Sequence, residues 1–227
     1  DDKNDMFGED TWEKAESAMQ KTALSKALEK ATLSPEDLDY ILAGDLLNQC
    51  IGTSFGLRDF GIPFYGLYGA CSTMGESMAL GSLLISGGIA QKVGAMTSSH
   101  FCTAERQYRM PVPYGNQRTP TAQWTATASG CLILGAEGEG TRITTVTCGK
   151  IVDKGVTDVN NMGAAMAPAA YDTLAAHFAA TGTGPQDYDL VITGDLGMLG
   201  HQIVTDLFAR DGVDMSQNYQ DCGMLLY

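Results

Sequence analysis

A chain of 227 residues that is 44% hydrophobic and 18% charged holds enough apolar material for a substantial core, which argues against a disordered segment. Fourteen Lys and Arg against 27 Asp and Glu give a net charge of −13, so no nucleic-acid partner is expected, because phosphate binding needs a basic face. No apolar run reaches membrane-spanning length, and the acidic amino end shows no signal peptide.

Residues 1–10 read as an acidic lead-in, and a start at Asp1 rather than Met is what a fragment or partial record would show. Asp10 and Glu13 offer a carboxylate cap and an acid in the first helical turn. Trp12, Ala15, Met19, Ala23, Ala27 and Leu28 then recur near helical spacing to about Ala31. Ser34-Pro35-Glu36-Asp37 caps a short turn, since proline suits the first helical position. Residues 40–43 form a short buried strand, 48–59 a loop or short helix, and 62–68 a second strand rich in aromatic and aliphatic residues. Between Cys71 and Ser86 only Glu76 is charged, which predicts a helix buried all round. Residues 92–98 are a further strand ending at Ser99-His100. Residues 101–123 form a long excursion rich in Pro, Tyr, Gln and Arg. Two strands are expected over 125–136 and 142–151, with a glycine turn at 138–140. From Asn161 an alanine-rich helix over 166–180 leads to a strand over 190–193 and a helix over 201–210. Cys50, Cys71, Cys102, Cys131, Cys148 and Cys222 include no C-x-x-C pair, so reduced thiols in a reducing compartment are expected rather than zinc or disulfides.

Thirteen residues occur twice. Ser34-Pro-Glu-Asp-Leu-Asp-Tyr-Ile-Leu-Ala-Gly-Asp-Leu46 aligns without a gap on Gly184-Pro-Gln-Asp-Tyr-Asp-Leu-Val-Ile-Thr-Gly-Asp-Leu196, with six positions identical. The 150-residue offset is too long for a solenoid and fits a duplicated α/β half. Ligands of open α/β sheets collect at the carboxyl ends of strands, which brings Asp45 and Asp195 forward as candidates. Either they cap the turns after their strands, or both face one shared ligand. In the second case a dicarboxylate needs a proton or Ca²⁺ to relieve the repulsion.

Cys71 follows a strand and opens the uncharged helix, where unpaired N–H groups and the helix dipole favour a thiolate or a bound anion; Ser72 stands beside it. Equally, it is a core thiol under a helix. His100 either donates to a ligand or closes its strand end. His177 reads as surface or rim. Arg106, Arg109 and Arg118 suit a carboxylate, and Tyr108, Tyr114 and Trp124 can stack on a ring. Asn48 and Gln49 follow the first acid and either contact ligand or close a turn.

Strand–Gly69-Ala-Cys-Ser72–helix resembles the nucleophile site of the thiolase superfamily, which includes the condensing ketoacyl synthases. Thr11-Trp-Glu-Lys-Ala-Glu16, Ala43-Gly-Asp-Leu-Leu-Asn-Gln49, Ser98-Ser-His100, Pro120-Thr-Ala-Gln-Trp-Thr125, Asn161-Met-Gly-Ala-Ala-Met-Ala-Pro-Ala-Ala170 and Thr193-Gly-Asp-Leu-Gly197 narrow this. They make the whole chain similar to the stage V sporulation protein AD family. That resemblance implies an α/β fold of duplicated halves in a layered α-β-α-β-α arrangement. Residues 1–160 would be the half carrying the Cys71 helix and 161–227 a partial second half, an opening strand and the carboxyl-terminal quarter being absent. It implies a binder of dipicolinic acid, alone or as its calcium chelate, for uptake into the forming spore, with no resident cofactor. Cys71, Ser72, Asp45, Asn48, His100, Arg106 and Asp195 would hold the ligand. Partners would be membrane proteins of the same operon at the spore inner membrane, the chain itself lying peripheral or cytoplasmic, with a homodimer formed through 62–68. A condensing enzyme would need proton-accepting partners for Cys71 from the second half. There the family tends to carry a histidine where this chain has Met198, with His201 three residues on, and an ionised Asp195 cannot donate to an oxyanion. Two rivals remain: an acyltransferase with Cys71 as acyl acceptor, and a scaffold for membrane proteins that binds nothing small.

Overall fold

The structure, a computed structural model, describes residues 4–108 and 119–226. They fall into two compact units: one holds the residues up to 108 with Trp124–Val146, the other holds 119–123 and the residues from Thr147 onward.

The first unit opens with α1 (Trp12–Ala31), capped by the Thr11 side chain, whose hydroxyl accepts from Lys14 N–H at 3.2 Å. The cap is therefore Thr11 rather than the expected Asp10, which instead pairs with Lys14 one turn on at 2.7 Å. A 3₁₀ turn (Pro35–Asp37) leads into β1 (Tyr40–Gly44), and α2 (Ile51–Leu57), β2 (Phe64–Gly66), α3 (Thr73–Ser86), β3 (Lys92–Ser99), α4 (Phe101–Tyr108) and β4 (Ala128–Gly135) follow. The sheet runs β2-β1-β3-β4, parallel except for β4, which lies antiparallel to β3. β1 is covered on both faces, so its run is apolar rather than alternating. Ile41 and Ala43 join Leu24, Leu28, Leu57 and Met96 in one cluster, and Leu42 joins Leu67, Ala90 and Val93 in another. Truncating Leu24 or Met96, both fully buried, to Ala would cost about 2–5 kcal/mol.

Four expectations are corrected here. α3 is not buried all round: it turns Thr73, Ser77 and Gly81 inward and leaves Leu80 and Leu83 exposed, so its lack of charge marks small inward residues rather than full enclosure. β2 is shorter than 62–68 because only three of its residues register on β1. The excursion after His100 begins with a helix, α4, whose Thr103, Ala104 and Glu105 are buried. Residues 142–151 join no ladder among the described residues, and Ile151 is almost wholly exposed.

The second unit contains α5 (Met162–Thr181), a 3₁₀ turn (Pro185–Asp187), β5 (Val191–Thr193), α6 (Gly197–Arg210), β6 (Tyr219–Asp221) and α7 (Cys222–Leu226), with β5 and β6 parallel. Val204, Phe208, Met215 and Tyr219 form its core with Phe178 and Val191. α5 and α6 approach closely at Gly163 and Gly200; a Cβ on Gly163 would run into the Leu196 carbonyl.

The repeat is real at the level of local structure. α1 and α5 are both 20 residues long and start at equivalent positions. Each is followed by the same capped turn, in which Asp37 Oδ2 accepts from Ser34 N–H at 2.7 Å and Asp187 Oδ2 from Gly184 N–H at 2.8 Å. Among the described residues no helix is long and apolar enough to cross a membrane.

Candidate functional site

In the first unit, the segments that leave the carboxyl ends of the parallel strands are bound to one another. Gln49 and Cys50 both take the left-handed conformation (φ 58° and 52°), and buried Cys50 donates its thiol to the Leu67 carbonyl at 3.1 Å. Ala70 is left-handed too (φ 50°), so the turn that carries Cys71 is strained, and the thiol is exposed. Ser72 Oγ donates to the Gly69 carbonyl at 2.8 Å. A Cβ on Gly69 would lie 2.5 Å from both Glu76 Oε2 and Ser72 Oγ, so glycine leaves room for a carboxylate folded back over the head of α3.

α4 closes the arrangement. Gln107 donates to the Leu46 carbonyl and to Tyr68 Oη, each at 3.2 Å, and its Oε1 accepts from Asn48 N–H at 3.0 Å. Tyr108 donates to the Leu46 carbonyl at 2.6 Å, with its hydroxyl 3.2 Å from that of Tyr68. Burial, then the Tyr68 contact, pushes the Tyr108 hydroxyl well above its usual range. Tyr68 and Tyr108 remain 52% and 55% exposed, so their rings can receive a planar partner.

The other expected residues serve the scaffold. Asp45 is buried: Oδ1 accepts from Leu47 N–H and Oδ2 from Thr53 N–H, each at 2.7 Å, and Oδ2 also from the Thr53 hydroxyl. Of its two open readings, capping is the one these contacts describe. His100 is fully buried. Its Nδ1 accepts from Cys102 N–H at 3.2 Å, which puts the ring proton on Nε2, facing the Asp5 carbonyl at 2.9 Å. Both ring nitrogens are thus used within the fold. Arg106 pairs with Glu13 at 2.7 Å and lies over the Trp12 ring at 4.8 Å. Trp124 stacks on Phe101 at 5.6 Å. Arg109, Tyr114 and Arg118 lie outside the described residues.

Sequence reasoning missed the polar network beneath this surface. Fully buried Glu16 accepts from Ser98 at 2.8 Å and Thr103 at 2.9 Å, while the Gln20 amide donates to Ser98 at 2.6 Å and Thr53 at 2.8 Å. The available signal was Glu16 and Gln20 at helical spacing beside Ala15 and Met19, on the apolar face of α1.

In the second unit the sequence equivalence of Asp45 and Asp195 breaks down. Asp195 is half-buried and receives Gln123 on its backbone carbonyl and, at 3.3 Å, on Oδ1. Burial, then neighbouring Asp221, holds its carboxyl above the usual range. The cap that Asp45 provides in the first unit comes here from Asp221, which accepts from Leu196 N–H at 2.8 Å and Gly223 N–H at 3.0 Å. Met198 is exposed, and His201 stacks on Tyr219 at 4.4 Å. His177 bridges Thr147 and Tyr188, each at 2.8 Å. Among the described residues, His, Cys, Asp and Glu side chains gather in no group of three or more able to hold a metal ion, and the six cysteines form no disulfide.

A mixed sheet, parallel but for β4, whose end carries an exposed cysteine on a strained turn at the head of a helix has the arrangement of a thiolase-like fold. Solved structures agree on the fold. OleA from Xanthomonas campestris, bound with cerulenin, matches with a TM-score of 0.66 at 14% identity, over 91% of this chain and 65% of that one. AbyA1, a tetronic acid condensing enzyme, matches with a TM-score of 0.61 at 15% identity over 91% and 71%. 3-Oxoacyl-(acyl-carrier-protein) synthase III from Aquifex aeolicus VF5 gives 0.56 at 14% over 91% and 71%. At such identities the likeness shows the fold alone. The chain belongs to the stage V sporulation protein AD family, whose model matches residues 2–227. It is 44% identical over 217 residues to Stage V sporulation protein AD of Bacillus subtilis (strain 168), covering 96% of this chain and 64% of that protein's length.

Proposed function

We propose that this sporulation-family chain is a non-catalytic binder of dipicolinic acid, taken as its calcium chelate for uptake into the forming spore. The observation that carries the reading is the pair of half-exposed tyrosines, Tyr68 and Tyr108, joined through their hydroxyls beside the Cys71 turn. A pyridine ring stacks on such faces. The head of α3, the Ser72 hydroxyl once turned from the Gly69 carbonyl, and the Asn48 side-chain amide, its backbone N–H being held by Gln107, would face the carboxylates. Asp45 supports the site from below, and His100 and Arg106 leave the ligand set because their polar groups are turned to Asp5 and Glu13.

Electrostatics favour the chelate. A dianion would meet Glu76 at the head of α3 and a chain of net charge −13, whereas a one-to-one chelate of Ca²⁺ is neutral. Calcium arrives as cargo with the acid. The chain works with membrane proteins of its operon at the spore inner membrane as a peripheral component. β2, at the edge of its sheet, pairs with a second copy.

Calorimetric titration with dipicolinate, in calcium and in chelator, tests this. Heat is expected with calcium, weakened about tenfold by Tyr108→Ala through loss of stacking. A flat wild-type trace in both conditions contradicts it and favours the scaffold.

Acyl transfer is the second reading, favoured by the left-handed Ala70 before an exposed thiol. The Cys71 sulfur would attack a thioester carbonyl, and the departing thiolate would take up the Cys71 proton. Intact mass after incubation with an acyl thioester decides it: a stable adduct on Cys71 supports transfer, and an unmodified chain rejects it.

A further inference from the structure

We infer that Glu16 is a buried proton-binding site that couples pH to the docking of α4 on the end of the sheet. Glu16 and Asp45 are both buried, and their side-chain partners are hydroxyls rather than cations. Ser98, Gln20 and Thr53 link the two carboxylates in a continuous chain of hydrogen bonds. That chain is short of donors: both Glu16 oxygens and both Asp45 oxygens accept, and Gln20 Oε1 is buried with no donor at all. A donor-poor network sealed from water takes up a proton at its most desolvated carboxylate. With the proton on Glu16, one of its two hydroxyl contacts reverses, so that the carboxyl donates to Ser98 or Thr103 and the geometry is kept.

Among the described residues, no cation is paired with Glu16. Glu13, one turn back on α1, is already paired with Arg106 of α4. Asp45 at the end of β1 and Glu13 both disfavour the ionised form. α4 also brings buried Glu105, and His100 before it directs its ring to Asp5 and Cys102. β3 contributes Ser98, and α2 contributes the backbone of Gly52, where a Cβ would stand 3.5 Å from Glu16 Cγ. β4 carries no charged residue, and its one titratable group, Cys131, is pushed up by burial to about 12. Burial outweighs the two hydroxyl bonds and raises Glu16 from 4.5 to about 7.

An ionised Glu16 is a charge held away from water beneath α4, which supplies its Thr103 partner and brings Gln107 and Tyr108 onto the Leu46 carbonyl, Asn48 and Tyr68, so the cost of that charge is relieved when α4 lifts. An opened α4 lets water reach Glu16 and returns it to its ordinary value. Between 4.5 and about 7 the closed form therefore holds more protons than the opened one, so opening becomes easier as pH rises through that window and levels off above it. Nothing in this requires the ligand assignment above, so it stands or falls separately.

The two tryptophans of the chain are natural reporters, since Trp12 lies under Arg106 and Trp124 stacks on Phe101, both in α4. Amide exchange of residues 101–108, corrected for the intrinsic pH dependence of exchange, is measured with tryptophan emission from pH 4.5 to 8. Protection is expected to fall by about tenfold or more as pH rises to 7, with a matching shift in emission, and both responses vanish in Glu16→Gln. Protection that stays level in the wild type, or a response that persists in Glu16→Gln, overturns the inference. Should that variant not fold, the Glu16 side-chain carboxyl carbon is titrated by NMR in the wild type. A midpoint near 7 supports the proton site, and one in the ordinary glutamate range rejects it.

Discussion

The Asp45 carboxylate receives two backbone N–H groups and a hydroxyl inside the protein, and Asp221 receives four backbone N–H groups in the second unit. Removing either leaves several buried donors unmet, at about 1–3 kcal/mol for the group. Asp45→Ala and Asp221→Ala should therefore each lower stability by about 3 kcal/mol in urea unfolding. Asp195→Ala should cost within about 1 kcal/mol, because its carboxylate is half-exposed and loosely held. An Asp195→Ala chain as unstable as Asp45→Ala would refute this division of labour. The repeated Gly-Asp-Leu was legible in the sequence, but its two acids share a position without sharing a role. The reason is long-range: Asp221 reaches Leu196 from 25 residues away on a strand that the repeat does not contain.

α3 shows how far local pattern carries at the scale of an element. Its missing charges announce a helix that packs, and Gly81 explains how: a Cβ there would sit 2.9 Å from Leu134 Cδ1 and 3.3 Å from Val93 Cγ1. Pattern could not say which faces are covered, since that depends on which neighbours the sheet supplies. Gly75, on the same helix, has open space where a methyl would stand, with no atom within 4 Å. Gly81→Ala should thus destabilise by about 1–3 kcal/mol through overpacking. Gly75→Ala should stabilise by about 0.5–1 kcal/mol through helix propensity. Thermal melts that place the two variants in the reverse order would contradict the packing described. α4 was hidden for the opposite reason: Phe101, Ala104 and Tyr108 have helical spacing, but the Pro- and Gly-containing stretch that follows them masks a helix of only eight residues.

For the molecule as a whole, the net charge bears on the ligand proposed above. A chain at −13 repels a dianion, and salt at about 0.1 M screens that repulsion beyond about 10 Å. Binding of free dipicolinate should strengthen with salt, while binding of the calcium chelate should change little; equal salt dependence for both would remove the electrostatic case for the chelate. The thiolase-like architecture could be read from the repeat and the Gly69–Ser72 turn, because both are contiguous in sequence. The Tyr68–Gln107–Tyr108 contacts could not, because they join segments about 40 residues apart. The central claim, that ligand occupies the Cys71 end of the first sheet, is tested most directly by thiol alkylation followed peptide by peptide. Exposed Cys148, in the other unit, serves as the internal control. Saturating calcium dipicolinate should slow modification of Cys71 about tenfold and leave Cys148 unchanged. Equal rates at Cys71 with and without the chelate, under conditions where calorimetry shows it bound, would place the ligand elsewhere.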